Sequence, residues 1–275
     1  MDERNGGASP LLSSGLNMGN VPVFPIIRTD SVLRQLPVGL DRKQALFLDG
    51  IRHAAEIMSL AYSRLTTTLT RIAQSDPDRP DLSSDITSSL LDAWSLVDAV
   101  DRFRALWKSL PNAKPAQLPS GAKSIDEVTQ PFRDLRNVAD HLAQRADFVV
   151  SKNGSALGSL PWFTGTSQDP LEGWLCVVVP GTVRQTKGQF SDPFEHGLDW
   201  PTRCVWLTAG GFRADLSSVL PHIAMRIDRL EASVAEAIKR LPEQQPHAMS
   251  DVLIKQRLSP LFVIKPTIPA GDGGA

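Results

Sequence analysis

The chain is poor in the residues that usually announce chemistry. Its 275 residues hold two cysteines, five histidines and one tyrosine. No HxxxH, CxxC or paired-carboxylate spacing points to zinc or to a hydrolytic metal pair, so no metal or cofactor is expected. The sequence also lacks a GxGxxG turn, a phosphate loop with its lysine, and a G-x-S-x-G elbow. Nucleotide-hydrolysing and serine-hydrolase readings therefore have no support. Charge of one sign is missing too: 29 Lys and Arg face 30 Asp and Glu, for a net charge of −1. With no cationic field over the whole protein, any RNA contact must come from a local patch. No apolar run approaches the ~20 residues that cross a bilayer. The amino terminus, MDERNGGASPLLSSG, has neither a basic start nor a long apolar region, so a cytoplasmic, non-membrane protein is expected.

The two cysteines, Cys176 and Cys204, lie in separate apolar runs, WLCVVV and RCVWL. If those runs pair as strands a disulfide could form; buried free thiols in a reducing compartment are the simpler reading. Asn153-Gly154-Ser155 reads as a turn rather than a glycosylation site, because nothing routes the chain to that modification.

What is present is helical periodicity. Hydrophobic residues make up 41% of the chain, enough for a core. Residues 1–20, rich in Gly, Ser and Asn, read as disordered, and VPVFPII reads as an edge strand or an extended arm packed on the body. A first helix is expected over Asp41–Ala73, with Phe47, Ile51, Ala54, Met58, Ala61, Tyr62, Leu65, Leu69 and Ile72 on one face. A second, capped by the Ser and Asp residues of DLSSDITSS, runs to about Leu110. A third spans Ser124–Val150, where Ser124 and Glu127 match a capping box. Residues 153–212 carry most of the Gly, Pro and Trp punctuation and two β-like runs, Trp174–Val179 and Cys204–Thr208. A fourth helix follows over Asp215–Leu241.

The expected architecture is mainly α: an antiparallel four-helix bundle with a small β insert between the third and fourth helices. One body over residues 21–248, with an extended segment and tail over 249–275, is preferred to two domains. The β segment alone is too small for a core of its own.

One hexapeptide stands out: Arg136-Asn137-Val138-Ala139-Asp140-His141, in the third helix. It places a cation suited to a phosphate in transition near an imidazole suited to proton transfer. On a helical wheel Phe132, Leu135, Val138, Ala139, Leu142, Ala146 and Val149 form the buried arc. Arg136 borders that arc, and His141 points almost directly away from it. The bland reading is a solvated face, with Arg136 and Asp140 as an ordinary i,i+4 pair.

The hexapeptide resembles the R-x4–6-H signature of the HEPN superfamily, in which a polar residue commonly follows the arginine, as Asn137 does here. The resemblance covers roughly residues 41–241, but only RNVADH is specific. It implies a helical bundle and, in many members, a metal-independent RNase active as a homodimer with two motifs facing one another. By that likeness Arg136 would stabilise the transition state, His141 would act as general acid or base, and Asn137 would position the phosphate or the histidine. Attack by the RNA 2′-OH would leave a cyclic phosphate. A toxin or defence effector, with an antitoxin or regulatory protein as partner, is the biological role the family suggests. The family also has inactive members, so a catalytically silent protein-binding module is the alternative.

A homodimer also meets a geometric difficulty, since Arg136 and His141 are ~140° apart on an ideal helix. In the second helix, Asp101 and Arg104 fall inside the apolar arc of Ile86, Leu90, Trp94, Val97, Val100 and Trp107. Charges there need partners. Either they satisfy one another, or Asp101 reaches the third helix and orients Arg136 or His141. Asp98 and Arg102 read as an exposed pair. His53, beside Arg52 and Glu56 on the outer face of the first helix, His196 in PFEHGLDW, and His222 near Arg226 are weaker candidates.

Overall fold

The computed structural model describes residues 25–76, 78–111, 118–151, 155–165, 173–181, 202, 204–240, and the single positions 251, 253 and 255. The expected disorder of residues 1–20, the Asn153 turn, the His196 loop and the far carboxyl tail lie outside these residues. Of the proline-punctuated arm, Ile27 is buried, and the Ile26 amide donates to Ser59 Oγ at 2.9 Å, so this end packs on the body.

The two longest helices form an antiparallel hairpin. Helix α1 spans Arg42–Gln74 and α2 spans Leu82–Ser109. Asp41 caps α1 by accepting from the Gln44 amide at 3.0 Å, which satisfies one orphan donor of the first turn. The expected apolar face of α1 is buried, apart from half-buried Phe47 and Ile72, and Leu48 joins it. Asp81 precedes α2 but makes no side-chain capping bond. Contacts Arg71–Asp85, Arg64–Asp92 and Gly50–Leu106 run in opposite directions along the two helices, as antiparallel packing requires.

Helix α3, Ile125–Asp140, begins with the anticipated capping box. Ser124 Oγ accepts from the Glu127 amide at 3.2 Å, and Glu127 Oε2 accepts from the Ser124 amide at 2.6 Å. It packs antiparallel on α2. The single helix expected to reach Val150 is not there: α3 stops at Asp140, a 3-10 turn covers Ala143–Arg145, and a short α4 covers Ala146–Ser151. Ala139 and Ala146, assigned to the buried arc, are exposed, and beyond Val138 only Val149 is buried. With no apolar stripe to press against the core, nothing sustains the long helix. The chain tightens into i→i+3 bonds, Leu142 amide to Ala139 carbonyl at 3.3 Å and Gln144 amide to His141 carbonyl at 3.1 Å.

The β insert is larger than its two obvious runs. Four antiparallel strands, β1 Leu160–Gly165, β2 Gly173–Val178, β3 Cys204–Ala209 and β4 Phe212–Asp215, pair in the order β2-β1-β3-β4. Trp162 faces Cys176 on one side and Val205 on the other. Strand β1 contains Pro161, which cannot donate to the ladder and hides it from a reading by propensity. Strand β4 ends at Asp215, where the last helix is expected to start. Helix α5 in fact begins later, at Val219–Lys239, with Leu216 buried ahead of it. Because β1 lies between the strands of Cys176 and Cys204, two spacings of about 4.8 Å separate those strands, beyond disulfide reach. No disulfide joins them, and burial pushes the Cys176 thiol pKa up.

The result is a mainly helical fold of five α-helices with a small antiparallel sheet among the described residues. None of the described helices is long and apolar enough to cross a membrane.

Candidate functional site

The sequence hexapeptide occupies the last turn of α3, between two different neighbours. On one flank is α2, which supplies a row of charges. On the other is the β3–β4 hairpin, whose turn residue Gly210 packs against Val138. Gly210 has φ +54°, and a Cβ there would lie 2.7 Å from Val138 Cγ1, so the turn needs glycine twice over.

Arg136 leans toward α2. Its Nη1 donates to Asp101 Oδ2 at 2.9 Å and lies 3.3 Å from Asp98 Oδ1, while its Nε is 3.7 Å from Asp140 Oδ2. Its Nη2 makes no hydrogen bond among the described residues, and the side chain is 34% exposed. Asp101 is the better buried partner. Its Oδ1 accepts from Arg104 Nε at 3.1 Å, so one carboxylate holds two arginines. The two alternatives for Asp101 thus coexist: it pairs with Arg104 and also reaches the third helix, at Arg136 rather than His141.

The row continues in both directions along α2. Arg104 approaches Asp126 at 3.7 Å, and Lys108 donates to the same carboxylate at 2.7 Å. Asp98 accepts from Arg102 Nε at 2.7 Å, the exposed pair anticipated, but it also serves Arg136. The spacing puts Asp98 one turn before Asp101 on the same side of α2, but only packing brings Arg136 to it.

Asn137 and His141 are exposed and outside this row. His141 is the C-cap of α3, with φ −114°, and its Nδ1 lies 3.1 Å from Gln144 Oε1. Nδ1 is placed to donate to that carbonyl oxygen, and the His141 side chain is exposed. Arg136, Asp140, Asp101 and Arg104 therefore share one neighbourhood, and Asn137 adjoins it only in sequence. His141 adjoins it in sequence with no hydrogen bond to any of them.

The remaining histidine candidates resolve differently. Arg52, expected on an outer face, is 3% exposed. Asp251, 199 residues away, covers it, accepting from Nη2 at 2.7 Å, and Glu56 lies 3.3 Å from Nη1. His53 touches Glu56 and Asp251 at 3.3 and 3.4 Å. Nothing local in the sequence signals that long-range cover. Arg226 is fully buried, its Nη1 donating to the His222 carbonyl at 2.8 Å and its Nη2 to the Lys123 carbonyl at 2.5 Å. Burial lowers its pKa, and burial foremost, with Arg226 and Lys123 adding to it, lowers that of His222. These groups tie α5 to the entry of α3. Among the described residues no group of three or more His, Cys, Asp or Glu is placed to hold a metal ion.

No family model, curated protein or solved structure matches the chain.

Proposed function

We propose that this protein is a metal-independent endoribonuclease of HEPN type, cytoplasmic and active as a homodimer, and that its helical core is a bundle of that kind. The observation that carries the reading is the posture of Arg136. Asp101 fixes one nitrogen of the guanidinium, while Nη2 stays open on a helix end that also exposes Asn137 and His141. A preorganised cation and an exposed imidazole suit cleavage by the RNA 2′-OH: the imidazole moves the proton, and the guanidinium neutralises charge on the phosphorane. Arg136 leans toward α2, and His141 lies past the end of α3 with no hydrogen bond to Arg136, so each would complete a site with the other's counterpart in a second protomer. A toxin or defence effector held by an antitoxin or other regulatory protein is the role proposed with it.

The test is direct. Wild type, Arg136→Ala, Asn137→Ala and His141→Ala are compared for growth arrest and for cleavage of total RNA in EDTA. Cleavage by wild type and its loss in the Arg136 and His141 variants is expected; identical behaviour of all the proteins would sink the proposal. Sedimentation as a monomer at micromolar concentration would sink the composite site.

A second reading has its own observation. Arg102, Arg104 and Arg136 are matched by Asp98, Asp101 and Asp140, so the row is electrically balanced. A balanced polar face suits a catalytically silent module that docks a protein partner, and such a module would leave RNA intact.

A further inference from the structure

Asp98 is shared between helices. Its Oδ2 accepts from Arg102 Nε on its own helix at 2.7 Å, and its Oδ1 lies 3.3 Å from Nη1 of Arg136 on α3. A single carboxylate thus spans two guanidinium groups. The two acids that hold Arg136 are not equivalent. The Asp101 side chain is 15% exposed and bonded to Arg104 as well, whereas the Asp98 side chain is 39% exposed and Arg102 is 64% exposed. Asp101 is the fixed anchor and Asp98 the exchangeable one.

We infer that Arg102 and Arg136 form a phosphodiester-binding subsite, which Asp98 fills in the free protein as an internal counter-ion. The inference rests on the endoribonuclease reading and adds to it a substrate-gripping residue, Arg102, and a competing one, Asp98. Guanidinium groups donate to the oxygens of a carboxylate or of a phosphate alike, so the carboxylate marks where phosphate oxygens would sit. When a phosphodiester enters, Asp98 swings to solvent, Arg102 turns with it on its exposed stem, and Asp101 keeps Arg136 in place. Asp98 then opposes binding twice, by holding one nitrogen of each arginine and by repelling the incoming charge.

The experiment uses the full chain carrying His141→Ala, so that RNA is bound without being cut. Affinity for a labelled single-stranded RNA is measured in EDTA from 50 to 200 mM salt, with melting curves as a check on folding. Adding Arg102→Ala should weaken binding ~3–10-fold and reduce the slope of log affinity against log salt by about 0.7–1, with Arg102→Lys recovering part of the loss. Adding Asp98→Asn should tighten binding ~3–10-fold, most at 50 mM salt, as one competing charge is removed. If the His141→Ala protein binds RNA but Arg102→Ala stays within about two-fold of it, or Asp98→Asn fails to tighten binding, the subsite is wrong and the nuclease reading stands. If that protein binds no RNA and wild type leaves total RNA intact, both fall.

Discussion

Arg136 on α3 and Asp101 on α2 are joined by a 2.9 Å hydrogen bond across 35 positions of sequence. The same carboxylate holds Arg104. This junction ties the last turn of α3 to the hairpin of long helices, so the direction of the Arg136 guanidinium is set by α2.

Asp101→Asn should separate positioning from stability. The amide still accepts one hydrogen bond but no longer neutralises two arginines, costing ~1–2 kcal/mol in chemical denaturation. RNA cleavage should fall more than ten-fold, because a misaimed guanidinium loses most of its hold on the transition state. Retained cleavage together with a large stability loss would assign Asp101 a structural role only.

Asp85 and Asp92, two turns apart on α2, should respond to pH with opposite signs. Hydrogen bonds from Arg71 and then Arg79 hold the Asp85 carboxyl below the usual aspartate range. Its contribution is therefore present above the unfolded value of ~3.9 and lost as pH falls through the lower folded value. Asp85→Asn should lower the melting temperature at pH 7, and the gap from wild type should close in acid. An unchanged gap at acidic pH would contradict the linkage.

Asp92 is 3% exposed, its Oδ2 3.3 Å from Arg64 Nε without a formed hydrogen bond. Burial foremost raises its pKa, with Arg64 opposing. The unfolded chain ionises first as pH rises, so ionised Asp92 costs stability above its folded value. Asp92→Asn should raise the melting temperature at pH 7, and the gain should vanish below about pH 4. A lower melting temperature at pH 7 would mean that Arg64 compensates the burial fully.

Gly210→Ala should destabilise the protein by more than ~1 kcal/mol, since the turn has positive φ and its new methyl group meets Val138. Val138→Ala in the same chain would relieve the contact but not the backbone, so only part of the loss should return. Because Val138 adjoins Asn137, RNA cleavage is expected to fall with stability. A neutral melting temperature would show that the hairpin does not brace α3.

The long helices were legible because α1 and α2 carry apolar stripes over many turns, and the capping box of α3 is a local pattern. The four-residue β4 and the proline-bearing β1 were not, because short strands gain definition only from the neighbours they pair with. The break after Asp140 is hidden in the sequence for a related reason. Ala139 and Ala146 favour helix in isolation, and only the absence of anything to bury them against ends it.

The candidate site divides in the same way. RNVADH, with Arg136 at the edge of the core and His141 pointing out, follows from residue order and helical periodicity. So does the need of Asp101 and Arg104 for partners, since unpaired charge on an apolar face is costly. Which partners they take, that Asp98 joins them, and that Arg52 is covered by Asp251 depend on segments brought together from 35 to 199 positions apart. Periodicity is a property of one helix and can be read along the chain. Ion pairing is a property of two surfaces, and it exists only once packing has chosen which surfaces meet.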